Sequence, residues 1–107
     1  MATAIQTISK EELHQKIQRQ EPLQIINVLK PEHYNLGMIP GSMKIPVADL
    51  NERYLELDRT KEVVTYCAGP ECPASREGAE KLAEMGFNVR AYEGGIKEWK
   101  EAGYPTE

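Results

Sequence analysis

The stretch "VVTYCAGPECPASREGAEKL", residues 63–82, changes character twice within its length. Its first residues are β-branched and aromatic, the composition of a strand buried in a pleated sheet. Gly69, Pro70 and Pro73 interrupt the run. Ala79, Leu82 and Ala83 then recur on one side of a helix whose other side carries Arg76, Glu77, Glu80 and Lys81. Strand, short loop and helix form the unit from which α/β domains are built, and this one holds both cysteines of the chain, Cys67 and Cys72.

Upstream, "AIQTIS" (4–9) alternates apolar and polar residues, which predicts a short strand. Ser9 and Glu12 have capping-box spacing, which predicts a helix from about residue 9 to 19 with Leu13 and Ile17 on its inner face. "LQIINVL" (23–29) is a nearly unbroken apolar run, as expected of a strand buried on both faces. "KPEHYNLGMIPGS" (30–42) is punctuated by Pro31, Gly37, Pro40 and Gly41 and leaves room for one helical turn at "PEHY". "MKIPV" (43–47) reads as a strand, and Val47, Leu50, Tyr54 and Leu57 predict a helix over "VADLNERYLEL".

Downstream, the helix over residues 73–85 ends at Gly86, and "FNVRAY" (87–92) is a last strand. "EGG" (93–95) reads as a structural turn before a final helix that lays down Ile96, Trp99 and Gly103. Strands alternate with helices without repeat or linker. This predicts one α/β domain over residues 1–107, with a mainly parallel sheet covered by helices on both faces.

Bulk properties narrow the function. A chain of 107 residues can bury one core but not two, and 40% hydrophobic with 28% charged residues separates it from disordered sequences. The net charge is -4 and the basic residues are interleaved with Glu, so a nucleic-acid or anionic-membrane surface is not expected. No apolar stretch approaches the roughly 20 residues that cross a bilayer, and the N-terminus lacks a basic start before a long apolar middle. A cytoplasmic location is therefore expected, where thiols stay reduced unless they have redox work.

Ligands of open α/β sheets gather beyond the carboxyl ends of the strands, where Cys67 lies. Loop amides and a helix N-terminus carry partial positive charge, so they are expected to lower its pKa from about 8.5 toward neutrality. Gly69 lets the backbone turn, Ala68 and Ala74 leave space above the sulfur, Pro70 and Pro73 stiffen the loop, and Ser75 and Arg76 add donors. An inert core thiol is the other possibility for Cys67, and a small packed residue for Cys72; residue types alone leave both open. Two thiols cannot close a zinc site, and His14 and His33 lack ligand spacing, so no metal is expected. Cys67 and Arg76 are too far apart for the Cys-x5-Arg loop of tyrosine phosphatases.

Three segments together resemble a single-domain rhodanese, a sulfurtransferase module, over nearly the whole chain. They are "LQIINVLKPEHYNLGMIPGSMKIPVADL", then "VVTYC" with its loop and helix, then "YEGGIKEWKEAGYP". The resemblance implies a three-layer α/β/α sandwich around a five-stranded, mainly parallel sheet. It also implies Cys67 as the catalytic residue, bearing sulfane sulfur as a persulfide between a donor such as thiosulfate or a persulfide and an acceptor thiol, on a small molecule or a protein, or cyanide. The loop residues Ala68, Gly69, Pro70, Glu71, Cys72, Pro73, Ala74, Ser75 and Arg76 would cradle it, without a cofactor.

The chain departs from the family pattern in three places. Asn27-Val28-Leu29 stands where Asp-Val-Arg is usual, Met38 replaces a His, and the Cys67 loop is longer than the common form. Glu71 near the sulfur disfavours a dianion, so persulfides are expected to serve better than thiosulfate. Attack by Cys72 on a Cys67 persulfide would release sulfide and leave a disulfide. A redox-regulatory or binding module using Cys67 and Cys72 is thus the alternative to a sulfurtransferase.

Overall fold

A computed structural model describes residues 5–29, 37–69 and 72–106. "PEHY" with His33, as well as Pro70 and Glu71, lie outside the described residues. The chain runs α1 (Lys10–Gln18), β1 (Leu23–Asn27), β2 (Met43–Lys44), α2 (Leu50–Arg53), β3 (Glu62–Tyr66), α3 (Ala74–Glu84), β4 (Val89–Tyr92) and α4 (Gly95–Glu101).

The strands lie in the order β2-β1-β3-β4, and every pairing is parallel. In the centre, Leu23 to Asn27 stand beside Glu62 to Tyr66, while Val63 to Tyr66 stand beside Val89 to Tyr92. Each strand pair is bridged by a crossover, which leaves the ends of β1, β3 and β4 level at the edge where Cys67 emerges.

Successive β3 side chains enter opposite layers, as period-2 geometry requires. Val63 and Cys67 join Leu50, Ala79 and Leu82 under α2 and α3, whereas Val64 and Tyr66 join Leu13, Ile96 and Trp99 under α1 and α4. The sandwich is therefore three layers deep, with a core on each face. Trp99, Leu13 and Leu82 are fully buried, and such side chains contribute about 1.5–3 kcal/mol each by leaving water.

The sheet has four strands among the described residues, where five were expected. "AIQTIS" forms a single bridge, Thr7 beside Ala91. Ala91 N–H donates to Gln6 at 2.9 Å, and Ile8 N–H donates to Ala91 at 3.1 Å. Gln6 and Thr7 are exposed, and α1 begins three residues after the bridge, which stops the ladder on its C-terminal side.

Two helix expectations change as well. Ser9 Oγ accepts from the Glu12 N–H at 3.1 Å, but the Glu12 carboxylate is held by Arg90, so only half of the capping box forms. The helix expected over 47–57 splits into a 3-10 turn (Val47–Asp49), α2 and a second 3-10 turn (Tyr54–Glu56). None of these pieces has a side-chain cap, and burial of Leu50 and Leu57 fixes their course instead.

Candidate active site

Cys67 follows the last residue of β3 and is fully buried in the α2/α3 layer. Its backbone is fixed before its side chain is considered. The Ile96 N–H donates to the Cys67 carbonyl at 2.9 Å, and the Lys97 N–H donates to the Ala68 carbonyl at 2.9 Å. The loop therefore hangs from the first turn of α4.

Gly95 makes that suspension possible. It has φ +70°, and a Cβ there would stand 2.6 Å from both the Cys67 carbonyl oxygen and the Gly69 nitrogen. Only a residue without a side chain lets the two backbones approach so closely. "EGG" is thus part of the frame around Cys67 rather than a simple turn, a role whose only sequence signal is its paired glycines.

The other side of the loop is tied to α3. The Cys72 N–H donates to the Gly69 carbonyl at 3.1 Å, and Thr65 Oγ1 donates to the Ser75 carbonyl at 2.7 Å. Pro73 takes the N-cap position with φ -79° and ψ -7°, and Ala74 opens the helix. Ser75 is buried with no partner for its hydroxyl among the described residues. Arg76 is exposed and points to Glu93, donating from Nη2 at 2.8 Å and from Nε at 3.2 Å.

The sulfur of Cys67 donates to the Cys72 carbonyl at 3.3 Å and more weakly to the Gly69 carbonyl at 3.7 Å. These acceptors suit a thiol rather than a thiolate. Burial, and then the neighbouring Cys72 side chain, push the Cys67 thiol up to about 11; hydrogen bonding from the Ser75 and Gly69 backbone pulls the other way without prevailing. This overturns the expected lowering toward neutrality, because desolvation of a fully enclosed sulfur outweighs two backbone contacts. Cys67 and Cys72 are both free.

Beside the loop opens a cleft of about 320 Å³, lined by Val28, Leu29, Pro46, Val47, Ala48, Ala68, Cys72, Ala74 and Glu77. Cys72, half-buried, forms part of its wall. The altered "NVL" segment explains its character. Asn27 is buried and turns its Oδ1 back to accept from the Leu29 N–H at 2.9 Å, while Leu29 presents hydrocarbon to the cleft. Glu77 is the one charged residue among the described lining, and Met38 is buried in the fold. Val47, Ala48 and Glu77 could not be assigned to a site from sequence, since they meet the loop only through folding.

Comparison with known proteins gives a consistent answer. The rhodanese-like domain family matches residues 9–102. YtwF of Bacillus subtilis, provisionally named a sulfurtransferase, is 34% identical over 96 residues, which cover 90% of this chain and 91% of YtwF. The HTH-type transcriptional regulator Rv0324 of Mycobacterium tuberculosis is 32% identical over 83 residues; the match covers 78% of this chain but spans only 37% of the regulator's length. The crystal structure of a rhodanese-related protein from Thermoplasma volcanium superposes with a TM-score of 0.83 at 30% identity, covering 95% of this chain and 97% of that one.

Proposed function

Because this chain belongs to the rhodanese-like domain family, we propose that it is a sulfurtransferase that carries sulfane sulfur on Cys67. The observation that carries this reading is the frame around Cys67. The thiol at the end of β3 is fastened by backbone bonds from Ile96 and Lys97 and by the Gly95 approach, a construction an inert core residue would not need. In the transfer, the Cys67 sulfur attacks the outer sulfur of a persulfide R–S–SH. A new S–S bond forms, the donor's S–S bond breaks, and R–S leaves with the proton that Cys67 gives up. An acceptor thiolate then attacks the outer sulfur of Cys67–S–SH and restores the thiol.

The donor we favour is an organic persulfide rather than thiosulfate. An apolar cleft whose described charge is the Glu77 carboxylate repels a dianion and accommodates an aliphatic body. Glu71, two residues from the end of the described loop segment, adds a second negative charge in sequence. The acceptor is a small-molecule or protein thiol, and the reaction draws on no cofactor.

Wild type and Cys67→Ser are loaded with thiosulfate or cysteamine persulfide and measured by intact mass. Wild type is expected to gain one sulfur from the persulfide, mapped to Cys67; no adduct with either donor would sink the proposal. Donor preference is checked with Glu71→Arg, expected to turn over thiosulfate and cyanide faster than wild type; equal rates would refute the electrostatic part. The alternative, a redox-regulatory module, is favoured by the two free cysteines in one loop, the Cys67 sulfur 3.3 Å from the Cys72 carbonyl oxygen. It requires loss of two protons by intact mass, with no persistent sulfur gain.

A further inference from the structure

Cys67 and Cys72 share a loop but not an environment. Cys67 is fully enclosed, and its S–H is tied to the Cys72 carbonyl at 3.3 Å, so a free donor reaches it directly only after the loop shifts. Cys72 is half-buried on the wall of the apolar cleft, with the small side chains of Ala68 and Ala74 beside it. The Cys67 sulfur lies 3.3 Å from the Cys72 carbonyl oxygen, so the backbone of Cys72 is packed directly against the buried thiol.

We propose that Cys72 is a second catalytic thiol, which takes sulfane sulfur from a small aliphatic persulfide bound in the cleft and hands it to Cys67. The proposal rests on the reading of Cys67 as the sulfur carrier and specifies the route by which it is loaded. In the first step, the Cys72 thiol gives its proton to water and its sulfur attacks the outer sulfur of R–S–SH. The Cys72–S bond to sulfane sulfur forms, the donor's S–S bond breaks, and R–S⁻ leaves into the cleft and takes a proton from water. In the second step, the Cys67 sulfur attacks the outer sulfur of Cys72–S–SH. The S–S bond at Cys72 breaks, and the proton of Cys67 passes to the departing Cys72 sulfur. Each step exchanges one S–S bond for another, so neither needs an oxidant or a reductant.

The relay removes a difficulty of direct loading. A buried thiol is a poor nucleophile toward an outside donor. Toward an adjacent persulfide, its proton has a receiving sulfur within the same loop, and the sealed pocket need not admit the donor's R group. The cleft also sets the donor class. Its hydrocarbon walls and the Glu77 carboxylate suit a neutral or cationic aliphatic persulfide, and disfavour an anionic one.

The test uses cysteamine persulfide as the probe with wild type, Cys67→Ser, Cys72→Ser and Ala48→Trp, the last filling the cleft from an exposed position. Sulfur gain is followed by intact mass and located by peptide mapping, with folding checked by circular dichroism. Cys67→Ser is expected to gain one sulfur at Cys72. Folded Cys72→Ser and Ala48→Trp are expected to load Cys67 about tenfold more slowly than wild type. Loading of Cys72→Ser at the wild-type rate, or no adduct on Cys67→Ser, overturns the relay while leaving Cys67 as carrier. No loading of Cys67 in wild type removes the carrier reading itself.

Discussion

A single proton distinguishes the resting Cys67 from its reactive form, and its position follows from where the sulfur sits. Burial raises the thiol well above its ordinary value of 9.0, so near neutral pH nearly every molecule holds the thiol rather than the thiolate. Alkylation of Cys67 in the resting protein should therefore climb through pH 9 and 10 rather than level off near 8.5; a plateau by pH 9 would contradict the assignment. Cys72 contributes to the rise, so Cys72→Ser should shift the Cys67 titration downward. The linked effect on stability has a definite sign. The folded chain holds this proton more tightly than the unfolded one, so the stability tied to it is full below pH 9.0 and is lost as pH rises toward 11. The sequence placed Cys67 correctly at a strand end, because strand composition and loop punctuation are local properties. It misjudged the sulfur's acidity, because desolvation depends on the helices packed above it.

At the scale of elements, the loop is shaped by two helix starts rather than by its own residues. α3 receives it through Pro73 and the Thr65–Ser75 bond, and α4 suspends it through Ile96 and Lys97. Gly95 lets α4 come close, and an Ala there would drive Cβ into backbone atoms that cannot move aside. Gly95→Ala should cost about 2 kcal/mol or more and abolish sulfur loading even in molecules that remain folded. Gly86 provides the contrast. It too has positive φ, at +92°, but the atom facing its missing Cβ is the end of the Arg59 side chain at 3.3 Å. Gly86→Ala should cost about 1 kcal/mol with loading intact, both measured by urea denaturation and mass. Equal losses for the two variants would refute the role given to Gly95. Sequence patterning anticipated β1, β3, β4 and α3, whose apolar faces are continuous. It did not anticipate the break of 47–57 into short turns, since Leu50 and Leu57 are placed by the core rather than by helical continuity.

Across the whole molecule, the sheet is open at β4, and the N-terminal segment closes that edge with one bridge and one arginine. Arg90 donates to the Glu12 carboxylate at 2.6 and 3.1 Å and to the Thr7 carbonyl at 2.9 and 3.2 Å, joining α1, the bridge and β4. This contact replaces the fifth strand implied by the family resemblance. It was not legible in the sequence because Glu12 and Arg90 are far apart in the chain, and Glu12 had a local role available as a cap. The Arg90 guanidinium holds the Glu12 carboxyl below its usual range. A depressed carboxyl contributes stability above its unfolded value near 4.5 and loses it as pH falls through the lower folded value. Glu12 is 44% exposed, so solvent screening limits the pair to about 0.5 kcal/mol at neutral pH. Glu12→Gln should accordingly lower the thermal midpoint slightly at pH 7, by an amount that shrinks as pH falls below 4.5. Arg90→Met also removes the two bonds to Thr7, neither of which titrates, so it should cost about 1–2 kcal/mol at pH 7 and keep most of that deficit at pH 3. Thermal unfolding of the three proteins at both pH values separates the charge from the clamp. A deficit for Arg90→Met that vanishes in acid would show that the ion pair alone holds the N-terminal segment against β4.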